Sequence, residues 1–270
     1  MNENDNLKER CEVLKRRHAI LLEDCADLFE RYNNLMVVEG PALSSEYMMA
    51  IGRHELREFQ LLFEVNRWRR RFEMRQRYIN LGEQVDLVAI EKALDEEMAS
   101  YQKMIDAKTI QVERAIAYLG SDKLSPEQSH EVRFLYLKAA KRLHPDVNPQ
   151  VSEVARELWN RIKNAYESRQ WAELTFLSGM VDSVAGTART FSDDEIGVAE
   201  REKEIARLEE VCRKQRQIIA DQRKLSPWCY AGLLSDSKAV AARQREIFLS
   251  IQQLCSSIDI YERRWKMEAL

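Results

Sequence analysis

Residues 131–171 read EVRFLYLKAAKRLHPDVNPQVSEVARELWNRIKNAYESRQW, and their apolar positions leave little choice of fold. Val132, Leu135, Tyr136, Ala139 and Leu143 recur at three- and four-residue steps, so they share one helix face. Arg133, Lys138, Lys141 and Arg142 fall mostly off that face, toward solvent. Ala155, Leu158, Trp159, Ile162, Ala165 and Tyr166 make a matching stripe on a second helix. Pro145 ends the first helix, because the residue before a proline is pushed out of the α region. Ser152 is placed to N-cap the second, with Val151 beside it as a staple residue. Two helices with apolar faces inward predict an antiparallel hairpin whose loop opens on His144-Pro145-Asp146.

These residues resemble the J domain of DnaJ-type co-chaperones. That family has a basic second helix, then His-Pro-Asp, then a third helix with an aromatic, an isoleucine and Ala-Tyr at fixed steps. The matching positions are Tyr136, Ala139, Ala140, Arg142, His144-Pro145-Asp146, Trp159, Ile162 and Ala165-Tyr166. Leu119-Gly120 is similar to the end of the family's first helix, and Ser125-Pro126-Glu127 to the cap that opens its second. The resemblance spans about Val112 to Trp171. It departs in three places: no short basic helix follows Trp171, Ala139 stands where a leucine is usual, and Arg169 where an apolar residue is.

The resemblance implies docking on a DnaK-type ATPase chaperone and acceleration of its ATP hydrolysis. The docking residues it implies are His144, Pro145, Asp146, Tyr136, Lys138, Lys141, Arg142 and Asn148. Their chemistry suits that role. The lysines and Arg142 can steer onto an acidic surface, and Pro145 limits the entropy the turn can lose. Asp146 suits an arginine on the partner. The family's Gly/Phe-rich linker and repeated cysteine motifs are absent, so the remaining helices are expected to act as arms toward an unidentified client or target.

Charged residues make up 32% of the 270-residue chain, with only eight glycines and five prolines, which favours long helices over sheets. The expected class is all-α, with the J-like hairpin embedded between long antiparallel, coiled-coil-like hairpins. Leu7, Leu14, Leu21, Leu28 and Leu35 fall every seventh residue within 1–39, with Cys11, His18, Cys25 and Tyr32 at the other seam position. That heptad serves an intramolecular bundle or a homodimer, and both readings stay open. Gly40-Pro41 is expected to break the helix. A long hairpin over 44–111 follows, turning at Gly82 and capped at Asp86, and its last turns continue into a J domain over 112–184. Residues 185–194 read as a linker, and 195–270 as a C-terminal hairpin whose tip would expose Trp228, Tyr230 and Leu233 to a partner or fold them inward.

Arg67, Arg69, Arg70, Arg71, Arg75 and Arg77 surround Trp68 and Phe72, a pattern that can bind phosphates and stack bases. The favoured alternative pairs them with Asp95-Glu96-Glu97 on the neighbouring helix, so nucleic acid is not the expected partner. A net charge of −3 points to no polyanion or membrane. Five cysteines without a CxxC and four scattered histidines form no metal motif. No catalytic constellation or cofactor loop stands out, so the chain is not expected to be an enzyme. The opening MNENDNLKER lacks a signal peptide's apolar core, and a cytoplasmic protein is expected. The competing reading is a scaffolding coiled-coil protein whose J-like hairpin has lost its docking role.

Overall fold

In the computed structural model the apolar stripes become helices. Residues 3–121, 124–186, 191–192 and 194–268 are described, and among them every regular element is helical. The chain is all-α. The elements are α1 (Glu3–Asn34), α2 (Gly40–Tyr47), α3 (Arg53–Leu81), α4 (Leu87–Leu119), α5 (Pro126–Leu143) and α6 (Glu153–Glu167). They continue with α7 (Trp171–Ser178), α8 (Val181–Val184), α9 (Glu195–Gln222), α10 (Ala231–Ser235) and α11 (Ser237–Glu268). Leu35–Glu39 and Met48–Gly52 are π-helical, and Trp228–Tyr230 is a 3₁₀ turn. No helix among the described residues is long and apolar enough to cross a membrane.

The helix is not broken at Gly40-Pro41. Proline lacks an N–H and would leave the carbonyl four residues back without its helical donor. The π-helical segment before it loosens the ladder, with the Gly40 N–H reaching the Leu35 carbonyl. The Val37 carbonyl, which Pro41 cannot serve, accepts a hydrogen bond from the Arg169 guanidinium instead.

The chain divides into two compact units, Met1–Gly40 with Asp122–Leu225, and Pro41–Ser121 with Ser226–Leu270. In the first, Ser125 and Gln128 form a reciprocal capping box at the start of α5, and Ser152 caps α6. Tyr136, Ala139, Ala140 and Leu143 of α5 meet Ala155, Leu158, Trp159, Ile162, Ala165 and Tyr166 of α6 in one core. Leu174 and Leu177 of α7 and Val181 of α8 close its open side, and Ala26 of α1 enters it too. Of the expected linker 185–194, residues 187–190 and 193 lie outside the described residues. Asp194 caps α9 through the Gly197 N–H at 2.8 Å.

The heptad of α1 is used inside the chain. Leu21, Leu28, Cys11 and Cys25 are buried, and α9 packs along α1. Arg10 pairs with Glu202 at 2.5 Å, Arg17 with Glu209 at 2.8 Å and Asp24 with Arg216 at 3.6 Å. The first two pairs share an offset of 192 positions and the third keeps it, so α1 and α9 run parallel in heptad register. At their seam, Cys25 Sγ lies 2.9 Å from Cys212 Sγ.

In the second unit, Gly82 ends α3 with a left-handed φ of 68° and Asp86 caps α4 through the Val88 and Ala89 N–H groups. These two helices form the expected antiparallel pair. Helix α11 runs parallel to α3, with Arg243–Glu55 at 3.2 Å and Arg75–Glu268 at 2.5 Å marking the register. The expected hairpin over 195–270 is therefore replaced by two parallel pairings, α9 with α1 and α11 with α3. The last turns of α4 group with α3, and the helix that lies across α5 is α1.

Two outcomes follow from the α1–α9 seam. Leu208 is fully buried there, so Leu208→Ala is expected to lower the unfolding free energy by about 2–5 kcal/mol in a urea titration. Burial pushes the Cys25 thiol up, away from the reactive thiolate. Iodoacetamide should therefore label exposed Cys229 in the native protein, and Cys25 and Cys212 only after denaturation.

Candidate functional site: the His144-Pro145-Asp146 loop

Helix α5 stops at Leu143 because His144 adopts extended backbone angles ahead of Pro145. The loop then closes on itself. The His144 carbonyl accepts from the Val147 and Asn148 N–H groups at 3.0 and 2.8 Å, and the Asn148 amide donates to the Lys141 carbonyl at 2.7 Å. The Asp146 N–H donates to His144 Nδ1 at 3.0 Å, so Nδ1 is the unprotonated nitrogen and any ring proton sits on Nε2.

The His144 ring is held on two sides. Phe29 of α1 stacks on it at a centroid distance of 3.7 Å and an interplanar angle of 16°. Trp159 of α6 meets it edge-on at 5.0 Å. This apolar sandwich, aided by the Lys163 charge and opposed by Asp146, lowers the imidazole pKa to about 4. On the loop's backbone side, Arg207 of α9 donates to the Asp146 carbonyl at 2.6 Å and to the Val147 carbonyl at 3.0 Å. Glu204, one turn earlier on α9, holds that guanidinium at 2.6 Å. The Asp146 residue is exposed, and its carboxylate forms no hydrogen bond or ion pair among the described residues.

The basic residues of α5 are half-exposed and already paired. Lys138 meets Asp182 at 2.6 Å, Arg142 meets the same carboxylate at 3.9 Å, and Lys141 meets Glu23 of α1 at 3.0 Å. One turn up, Arg133 lies 3.2 Å from Glu30 and 3.8 Å from Asp27. Glu30 is nearly buried, and desolvation raises its pKa despite Arg133. Tyr136 differs from the other predicted docking residues in being 1% exposed. Its hydroxyl accepts a hydrogen bond from the Asn33 amide, and its ring packs on Trp159 and Tyr166. It anchors the helix from below and presents nothing to a partner.

Phe29, Arg207, Glu23 and Asp182 were not foreseen from the sequence. The one local hint is Phe29, a bulky apolar residue just outside the leucine seam. In the second unit, Trp228 is buried, Tyr230 stacks on Tyr47 at 4.0 Å and Leu233 packs beside Ile247, so the anticipated contact residues face inward. Among the arginines there, Arg67 pairs with Glu91 and Asp95, Arg70 with Glu73 and Glu97, Arg71 with Glu91 and Arg75 with Glu268. Arg71 also lies 4.3 Å over the Trp68 ring. No cluster of three or more His, Cys, Asp or Glu suited to a metal occurs among the described residues. No protein-family model matches the chain, and neither a curated protein nor a solved structure is significantly similar to it.

The sandwich around His144 makes the loop sensitive to acid. An imidazole released from it takes a proton near pH 6.5, whereas the enclosed ring resists until about pH 4. The closed loop therefore loses stability as pH falls through that window and keeps it above. An NMR titration should place His144 near 4 in the native chain and return it toward 6.5 in Phe29→Ala.

Proposed function

We propose that this chain is a J-domain-like co-chaperone that docks on a DnaK-type ATPase through the His144-Pro145-Asp146 loop and stimulates its ATP hydrolysis. The observation that carries this reading is the exposed Asp146 carboxylate on a turn fixed by internal hydrogen bonds, at the end of a helix bearing Lys138, Lys141 and Arg142. A rigid acceptor-only group beside a basic face suits a partner surface that is acidic and carries an arginine. The bond-breaking chemistry belongs to the partner, and this chain acts by binding. The α1–α9 pair and the second unit would serve as arms that recognise a client or target. Nucleic acid is a weaker reading, since Arg67, Arg70, Arg71 and Arg75 are neutralised by the chain's own carboxylates.

The alternative is a scaffold, favoured by the number of the chain's own residues already bound to the loop and the basic face. Single-turnover ATP hydrolysis by a DnaK-type chaperone separates the two. The co-chaperone reading expects stimulation by the full chain, reduced about tenfold or more by Asp146→Asn, the loss of one charge-assisted contact, and by His144→Gln, which removes the ring that accepts from the Asp146 N–H and fixes the turn. Stimulation that survives both substitutions would mean that the loop is not the docking element.

A further inference from the structure

Apart from the exposed Asp146 carboxylate, the side chains that a docking chaperone would have to meet at the loop and on the basic face are already met from within. Helix α1 presents Glu23 to Lys141, and Asp27 and Glu30 to Arg133. It thus lays an acidic face along the basic helix, the same electrostatic complement that the proposed partner would offer. Phe29, on that helix, covers one face of the His144 ring at 3.7 Å. From α9, Arg207 grips the backbone carbonyls of Asp146 and Val147, so an intramolecular arginine already holds the loop's backbone while the Asp146 carboxylate stays exposed. The two helices act together because the heptad seam joins them, with Cys25 one turn before Phe29 and against Cys212.

We infer that the α1–α9 coiled coil is an autoinhibitory clamp, with Phe29 and Arg207 holding the loop closed against the ATPase. This rests on the co-chaperone reading above and adds its regulation. The clamp is suited to reversal. The Lys141–Glu23 pair is exposed and individually weak, Arg207 is part-exposed, and the fully buried Ala26 and Leu208 anchor the two helices independently of the contacts on the loop. A partner or target that takes hold of α1 or α9 would free the loop, and the closed fraction lowers the apparent affinity for the ATPase until then.

The test uses the full chain in single-turnover ATPase assays, comparing wild type with Phe29→Ala, Arg207→Gln and the double variant. His144→Gln is added in each background. Opening the clamp should lower the concentration needed for half-maximal stimulation by about tenfold in the double variant, because the loop no longer pays for release before docking. His144→Gln should abolish the gain, and Phe29→Tyr, which keeps the stack, should behave as wild type. The thermal melt of each variant is recorded beside its activity, and a gain seen with the native melt retained cannot come from unfolding. If the variants stimulate no better than wild type although the His144 titration shows the ring released, the clamp is overturned and the co-chaperone reading stands. If neither wild type nor the opened variants stimulate at all, the co-chaperone reading falls and the clamp with it.

Discussion

The first unit depends on one helix being buried on two sides. Along α1, Leu21, Cys25 and Leu28 turn toward α9, while Ala26 and Phe29 turn toward the α5–α6 hairpin. A helix with a single heptad stripe can satisfy one neighbour, and the second contact needs a small residue where backbones approach. Ala26, with no exposed surface, is that residue. The Asn33 amide on the Tyr136 hydroxyl then closes a polar gap that would otherwise leave two buried groups without partners. Because α1 also carries α9, the loop at the end of α5 comes within reach of two helices distant in sequence.

What could be read from the sequence was whatever depends on neighbours along the chain. The hairpin stripes, the caps at Ser125, Ser152 and Asp86, and the stop at Gly82 all rest on spacing over a few residues, and the structure places them as expected except that Ala140, not Leu135, joins the α5 stripe in the core. Pairing between helices was not legible in the same way. An amphipathic stripe says which face is buried but not which helix covers it, so α9 and α11 looked like partners when they pack on α1 and α3. The continuity at Gly40-Pro41 depended on a π-helical segment and on Arg169, more than a hundred positions away, serving the Val37 carbonyl. In the sequence Arg169 stands only as a departure from the J-domain pattern, and its contact with Val37 gives it a role.

The candidate site shows the same division. His144, Pro145 and Asp146 stand out as a tripeptide between two stripes, and their turn follows from local rules. Phe29 carries only the faint local mark of an aromatic beside a leucine seam, and Arg207 carries none, since an arginine three residues after a glutamate is ordinary on a long helix. Their meaning arises only where α1 and α9 meet the loop. The arginine run in the second unit is the converse. Residues 67–77 are conspicuous in sequence, yet much of their charge is neutralised by Glu91, Asp95, Glu97 and Glu268.

The core and the contacts around the loop draw on different atoms in this arrangement. The core of the first unit is aliphatic and aromatic, with Tyr136, Leu143, Ile162, Leu174 and Leu177 nearly or wholly sealed from water, and losing such contacts would cost the fold. The contacts on the loop and on the basic face of α5 are of another kind. Glu23, Asp182 and Arg207 are half-exposed, and their ion pairs and hydrogen bonds exchange readily with water or with another protein's charges. Phe29 belongs to both sets, since its ring is buried yet its main partner is a histidine on a surface turn. A competitor that must displace one aromatic ring and a few solvated charges faces a barrier far smaller than unfolding the hairpin. The loop can therefore open while the core that shapes it stays intact.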